Sequence, residues 1–291
     1  MRSPPHIDDA SALEKRLGRF TKKSARLPYG EISYYDIGSG VPVVFLHGIG
    51  SGSASWLNQF EQISAGFRLI AWDAPGYGDS SPLSEQSPTA IEYAQALHSF
   101  FLVLGLTRIT IIGHSLGAIM ATAYAALWPA EVMNLVLADP ANGYGRESKG
   151  ARDKKLAERL ERLSRWGPAE LAKQRAPKLL GPCASQGALE IVRWNMARIH
   201  PKGYAQAARM LASENLLTQA PEYEGPTLVL CGLEDTITPP RLAQQVHHAF
   251  KNAEYKELRD AGHASYVDQP ERFNALVTEF IKAKHGSWDQ G

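Results

Sequence analysis

Near-continuous apolar runs recur along this chain, at 41–46, 67–72, 109–112, 133–138 and 227–231. Runs of that length without polar alternation belong to strands buried on both faces of a parallel sheet. Between them the apolar positions take helical spacing, at about 55–65, 88–105, 116–127, 240–250 and 270–284. In the second of these Ile91, Ala94, Leu97, Phe101 and Leu104 fall on one face, with Pro88 near the start; Pro129 ends the third. A further strand is expected at 254–258 and a hairpin over 24–27 and 31–36, turning at Pro28-Tyr29-Gly30. Residues 8–19 read as a short amphipathic helix with Leu13, Leu17 and Phe20 on one side. Strand and helix in alternation predict an α/β fold with a mostly parallel, doubly wound sheet and right-handed crossovers.

The alternation stops between residues 141 and 220. That block holds no convincing strand and reads as helices at 152–165, 168–180, 187–199 and 203–217. A helical block inserted after a strand of a parallel sheet would cover the C-terminal edge, where open α/β sheets bind ligands. The expected organisation is an N-terminal extension over 1–20, a core made of 21–140 and 221–291, and a helical cap over 141–220.

The run at 109–112 leads into Gly113-His114-Ser115-Leu116-Gly117, a G-x-S-x-G between a strand and a helix. The glycines two before and two after the serine let the strained turn approach its neighbours. The turn holds the Ser115 hydroxyl above a helix N-terminus, which favours developing negative charge. A serine hydroxyl is a poor nucleophile until a base takes its proton, so a histidine and an orienting acid are required. His263, after the last strand in Ala261-Gly-His263, is the histidine in position, and Asp235, following the 227–231 strand, is the expected acid. Asp139 also ends a strand and Glu234 adjoins Asp235, so both stay open as alternatives. His114 either lines the pocket or points into the sheet.

Two further segments follow buried strands. His47-Gly48-Ile49-Gly50-Ser51-Gly52 is too irregular for a dinucleotide fingerprint. It fits an oxyanion hole, with one N–H from Ile49 and a second from Leu116. His47 is expected to brace that loop. Trp56, at its end, is read as packing or as a substrate contact. In Asp73-Ala-Pro-Gly-Tyr-Gly-Asp79-Ser80 a sharp turn at Pro75-Gly76 assigns both aspartates to hydrogen bonding within the turn.

Composition narrows the class. Apolar residues make up 44% and charged residues 21% of the 291, which fits a globular protein. The formal net charge of +1 suggests no nucleic-acid partner. No apolar segment reaches membrane-spanning length, and the first residues lack the apolar stretch of a signal peptide, so a cytoplasmic location is expected. Cys183 and Cys231 give neither a disulfide framework nor a metal spacing. No metal and no cofactor are expected, and a homodimer is possible. Charge is uneven: residues 141–175 carry ten Lys/Arg against five acids. This excess either captures an anionic ester or lactone or forms a solvated helix face with pairs such as Glu158–Arg162 and Glu161–Arg165. Arg193-Trp194 is a separate candidate for a substrate carboxylate or ring.

The His47–Gly50, Asp73–Ser80, Gly113–Gly117, Gly232–Asp235 and Gly262-His263 motifs, in this order, resemble the α/β-hydrolase superfamily. The resemblance covers the chain beyond its first twenty residues. It implies the α/β-hydrolase fold, a cap, a Ser115–Asp235–His263 triad and an oxyanion hole at Ile49 and Leu116. Serine at the elbow argues against haloalkane dehalogenases and epoxide hydrolases. The stretch 202–210, Asp235-x-x-Thr-Pro-Pro240 and Ala261-Gly-His263 with Gln269-Pro270 is similar to 3-oxoadipate enol-lactonases and related carboxylesterases. The implied substrate is a small-molecule ester or lactone. Carbon–carbon hydrolases of ring-cleavage diketones are the nearest alternative, although His114 and Ala264 replace their usual Asn and Trp. Haloperoxidase-like esterases, transferases and a non-catalytic ligand-binding relative share the same frame.

Overall fold

The computed structural model describes residues 9–63 and 65–285. Eight strands form one sheet: β1 (Lys22–Leu27), β2 (Gly30–Gly38), β3 (Val41–Leu46), β4 (Phe67–Trp72), β5 (Ile109–His114), β6 (Val132–Ala138), β7 (Thr227–Gly232) and β8 (Ala253–Leu258). Their order is β1-β2-β4-β3-β5-β6-β7-β8. The β1–β2 hairpin and its junction with β4 are antiparallel, and every other pairing is parallel. β5, β6 and β7 are buried at every residue, as their near-continuous apolar runs require.

The helices are α1 (Asp9–Leu17), α2 (Leu57–Gln62), α3 (Ala90–Leu104), α4 (Leu116–Leu127), α5 (Lys149–Arg175), α6 (Gln186–Met196), α7 (Pro201–Ser213), α8 (Leu216–Gln219), α9 (Pro240–Ala249), α10 (Ser265–Asp268) and α11 (Pro270–His285). Successive strand residues feed opposite layers. Val44 and Leu46 pack with α3, α4 and α9 in one cluster, while Val43 and Phe45 pack with α2 and α11 in the other. The sheet is therefore wound on both faces. α3 begins two residues later than its apolar spacing suggests, because Thr89 and Glu92 form a capping box there. No helix among the described residues is long and apolar enough to cross a membrane.

The block between β6 and β7 is helical, α5 to α8, but its divisions differ from the expected ones. The helices expected at 152–165 and 168–180 run together as α5 across a break at Gly167, where φ is +68° ahead of Pro168. The helix expected at 203–217 is interrupted near Glu214 and resumes as α8. On α5 the ion pairs are Lys149–Asp153 and Lys155–Glu147. Neither Glu158–Arg162 nor Glu161–Arg165 closes to ion-pair distance among the described residues.

α1 lies within the expected extension and is packed onto the body, with Leu13 and Leu17 buried. Arg16 bonds Glu61 (2.7 Å) and Asn58 (2.9 Å), both on α2. Glu14 accepts from Trp194 Nε1 (3.2 Å) on α6 and from Arg198 (3.0 Å) just beyond it. The expectations for residues 1–8 and 286–291 lie outside the described residues.

Candidate active site

Winding reverses between β3 and β5, since β4 lies on one side of β3 and β5 on the other. Crevices at such a point, beyond the C-terminal ends of the strands, are where open sheets bind ligands. Ser115 sits there, between β5 and α4, with φ +51° and ψ −112°. That conformation is strained for a side-chain-bearing residue. It is held because Ser115 N–H donates to Ala138 O (3.0 Å) while its own carbonyl accepts from Ala141 N–H (3.2 Å). A Cβ on Gly113 would lie 2.4 Å from Gly117 O, and one on Gly117 would lie 2.3 Å from Leu46 O on β3. Both glycines are therefore required by contact.

His263 follows β8. Its Nε2 lies 2.9 Å from Ser115 Oγ, and its Nδ1 lies 2.8 Å from Asp235 Oδ2. Asp235 Oδ1 accepts from the N–H groups of Ile237 (2.7 Å) and Thr238 (2.9 Å). The Thr238 hydroxyl lies 2.8 Å from Asp235 Oδ2. Burial opposes the Asp235 charge, but His263 and these donors outweigh it and hold the carboxyl at about 2. Asp235 is thus ionised at neutral pH and accepts the Nδ1 proton, leaving Nε2 free to accept from Ser115 Oγ.

The two alternative acids have other partners. Glu234 accepts from Ala261 N–H (3.0 Å). Asp139 accepts from Gly232 N–H (2.8 Å) and from the Ser265 hydroxyl (2.6 Å), tying the end of β6 to β7 and to α10. Burial and the neighbouring Asp235 charge push Asp139 up to about 7.

Ile49 lies in the loop after β3, and its carbonyl accepts from the Tyr77 hydroxyl (2.6 Å), which fixes the loop. Leu116 is the first residue of α4, so its N–H has no intrahelical acceptor, while its side chain is buried in the core. His47 braces the loop as expected. Its Nε2 accepts from Ala74 N–H (3.0 Å), so its Nδ1–H faces Gly48 O (2.9 Å). Asp73 accepts from Ser53 N–H (2.8 Å) and the Ser33 hydroxyl (2.7 Å), and pairs with Lys22 at 2.8 Å. Burial works against the Asp73 charge, but Lys22 and these donors hold the carboxyl below its ordinary value. A group lowered in the folded state stabilises above its unfolded pKa, and that stability is lost as pH falls through the folded pKa. Lys22→Ala should therefore cost about 2 kcal/mol at neutral pH, within the range for a hydrogen bond to a charged group. The gap in unfolding midpoint from wild type should narrow in thermal scans taken below about pH 4.

A cavity of about 560 Å³ opens above Ser115 and His263, lined from the core by Ile49, Thr238 and Tyr266 and from the cap by residues of α5 to α8. His114 lines it. Its Nε2–H donates to His263 O (2.7 Å), which leaves Nδ1 buried without a partner. Burial and His263 push His114 down to about 3, so it stays neutral and does not compete for the serine proton.

The other three pocket candidates are corrected by the packing. Trp56 is fully buried, stacked on Tyr266 at 4.1 Å and tilted against Phe45 at 4.9 Å, and it does not line the cavity. On α6 the cavity-facing residues are Val192 and Met196, one helical turn apart. Arg193 and Trp194 fall on other faces of that helix. Trp194 is turned toward Glu14 with the Arg198 guanidinium 3.9 Å above its ring. Sequence reasoning gave no role to Tyr77, Thr238 or Tyr266. The Thr238 signal was present, three residues after Asp235 in a Pro-ended turn.

Comparison with known proteins agrees with this architecture. RutD of Cronobacter turicensis, whose assigned name is that of a carbamate hydrolase, is 27% identical over 252 residues, covering 82% of this chain and 90% of that one. An esterase of Thermogutta terrifontis, solved with malate bound, superposes with a TM-score of 0.82 at 27% identity over 91% of this chain and 99% of its own. The enol-lactonase of Burkholderia xenovorans LB400 shares the fold, with a TM-score of 0.79 at 21% identity over 89% of this chain and 100% of its own. Residues 41–270 match the family described by the alpha/beta hydrolase fold, and the chain belongs to that family.

Proposed function

We propose that the protein is a serine hydrolase of small carboxylic esters or lactones, working through an acyl-enzyme on Ser115 without a cofactor. The observation that carries this reading is the continuous line from Asp235 Oδ2 through His263 to Ser115 Oγ, at 2.8 and 2.9 Å. His263 Nε2 takes the serine proton as Oγ adds to the substrate carbonyl. The oxyanion rests on the N–H groups of Ile49 and Leu116. Collapse of the adduct breaks the bond to the alkoxide or enolate, which leaves with the proton from His263. Water then gives a proton to His263 and its oxygen to the acyl carbon. The second collapse returns the proton to Ser115 and frees the acid. Asp235 keeps the Nδ1 proton in place throughout and stabilises the imidazolium.

The reading is supported by the fold and by the 27% identical esterase. The RutD relatives favour a second electrophile, a carbamate, which the same groups would attack in the same way. Stopped-flow mixing with p-nitrophenyl esters from acetate to decanoate, and with a p-nitrophenyl carbamate, tests both. A burst of p-nitrophenol stoichiometric with enzyme, with the acyl mass on the Ser115 peptide, is expected. A labelled residue other than Ser115, or no covalent species with any of these probes, would sink the proposal.

A further inference from the structure

The charge lining the cavity is one-sided. Beyond the triad, its ionic side chains are Arg146, Lys155, Arg159, Arg175 and Arg241 against a single acid, Glu147. Glu147 is already committed to Lys155, and Arg146 and Arg241 are exposed at the rim. Arg159 and Arg175 are left within. Neither lies at ion-pair distance from a carboxylate among the described residues. Arg159 donates to the hydroxyl of Tyr204 (3.3 Å) instead, with Tyr144 close by. Burial is the first influence on both guanidinium groups; Tyr204 and Tyr144 nevertheless leave Arg159 above its ordinary value, while Arg159 and Arg162 help push Arg175 below its own through like charge.

The backbone brings these charges together. Sixteen positions along a straight helix would separate residues 159 and 175 by roughly 24 Å. The break at Gly167-Pro168 folds α5 instead, so that both arginines line one cavity. Two half-buried like charges drawn together cost free energy that an anion between them would offset. No acid among the described residues fills that place. Arginine presents a planar fork of donors matched to a carboxylate.

We propose that Arg159 and Arg175 form a carboxylate-binding subsite, so that the preferred substrate is an ester or lactone carrying a free carboxylate. The claim rests on the hydrolase reading for its choice of substrate, and it extends that reading to substrate charge. A cavity of about 560 Å³ has room for a small dicarboxylic half-ester.

The test pairs mono-p-nitrophenyl esters of succinate, glutarate and adipate with the same esters methylated at the free acid. Wild type should favour the free acid of at least one chain length by about tenfold or more in kcat/KM. In Arg159→Gln and Arg175→Gln that preference ratio should fall about 10- to 100-fold, the range for losing a hydrogen bond to a charged group. Calorimetric titration of wild type with the three diacids gives a readout that needs no turnover and no variant. Binding of a diacid, lost when its acids are methylated, is expected. Should no ester be hydrolysed while a diacid still binds in this way, the subsite stands and the hydrolase reading fails. Ser115-dependent turnover with no preference for the free acids, and no diacid binding, would overturn the subsite and leave the hydrolase reading intact.

Discussion

Ser115→Ala is expected to lower kcat on p-nitrophenyl esters by about 10⁴- to 10⁶-fold while leaving the fold in place. The size follows from the removal of the hydroxyl that lies 2.9 Å from His263 Nε2. Residual turnover would come from water activated by His263 over the same N–H donors. The fold should persist because alanine meets the same backbone requirement, a φ of +51°, and needs no additional space. Matched circular dichroism spectra and unfolding midpoints, measured beside the initial rates, check that the loss is chemical. Retention of more than a few per cent of activity in a folded variant would remove Ser115 as nucleophile.

Asp235→Asn should cost about 10⁴-fold in kcat. An asparagine amide turned toward His263 Nδ1 would donate where the carboxylate accepts. The imidazole would answer by placing its proton on Nε2, pointing it at Ser115 Oγ and removing the base. Rotating the amide back would set its N–H₂ against the N–H groups of Ile237 and Thr238, which now donate to Oδ1. Either choice is costly. Asp139→Asn is the internal comparison. Asp139 bonds Gly232 and Ser265 and does not bond the His263 ring, so its loss should lower the unfolding midpoint while kcat stays within about tenfold of wild type. Steady-state rates for the two variants decide between the acids. The larger kinetic loss falling on Asp139→Asn would reverse the assignment.

Much of this geometry is written into short stretches of sequence. Gly113, Ser115 and Gly117 are legible because their spacing reflects backbone contacts within five residues and against one neighbouring strand. Strand assignments hold because β5, β6 and β7 are buried on both faces, which leaves room for only a few polar residues such as Thr110 and Asn134, bonded to each other. Three things resisted sequence reasoning. Trp56 sits beside the glycine-rich loop in sequence, yet its ring packs against Tyr266, more than two hundred residues away. The orientation of α6 depends on where α1 lies, so nothing local shows that Trp194 turns outward while Met196 turns inward. The relation of Arg159 to Arg175 follows no helical period. It depends on the bend at Gly167, and although the sequence marked a boundary there, the angle of the fold-back belongs to tertiary packing.

The attachment of α1 has a consequence for how molecules enter and leave. Arg16 grips α2 in the core, Glu14 grips Trp194 and Arg198 in the cap, and Leu13 and Leu17 are buried. Swinging the cap aside as a rigid lid would break those bonds together and expose both leucines to water. A roof stapled down in this way favours a side door. Exposed lining residues, Arg146, Lys155, Thr236, Arg241 and Gln245, mark that doorway, so traffic to Ser115 would be filtered at the threshold by positive charge, not admitted by a hinge.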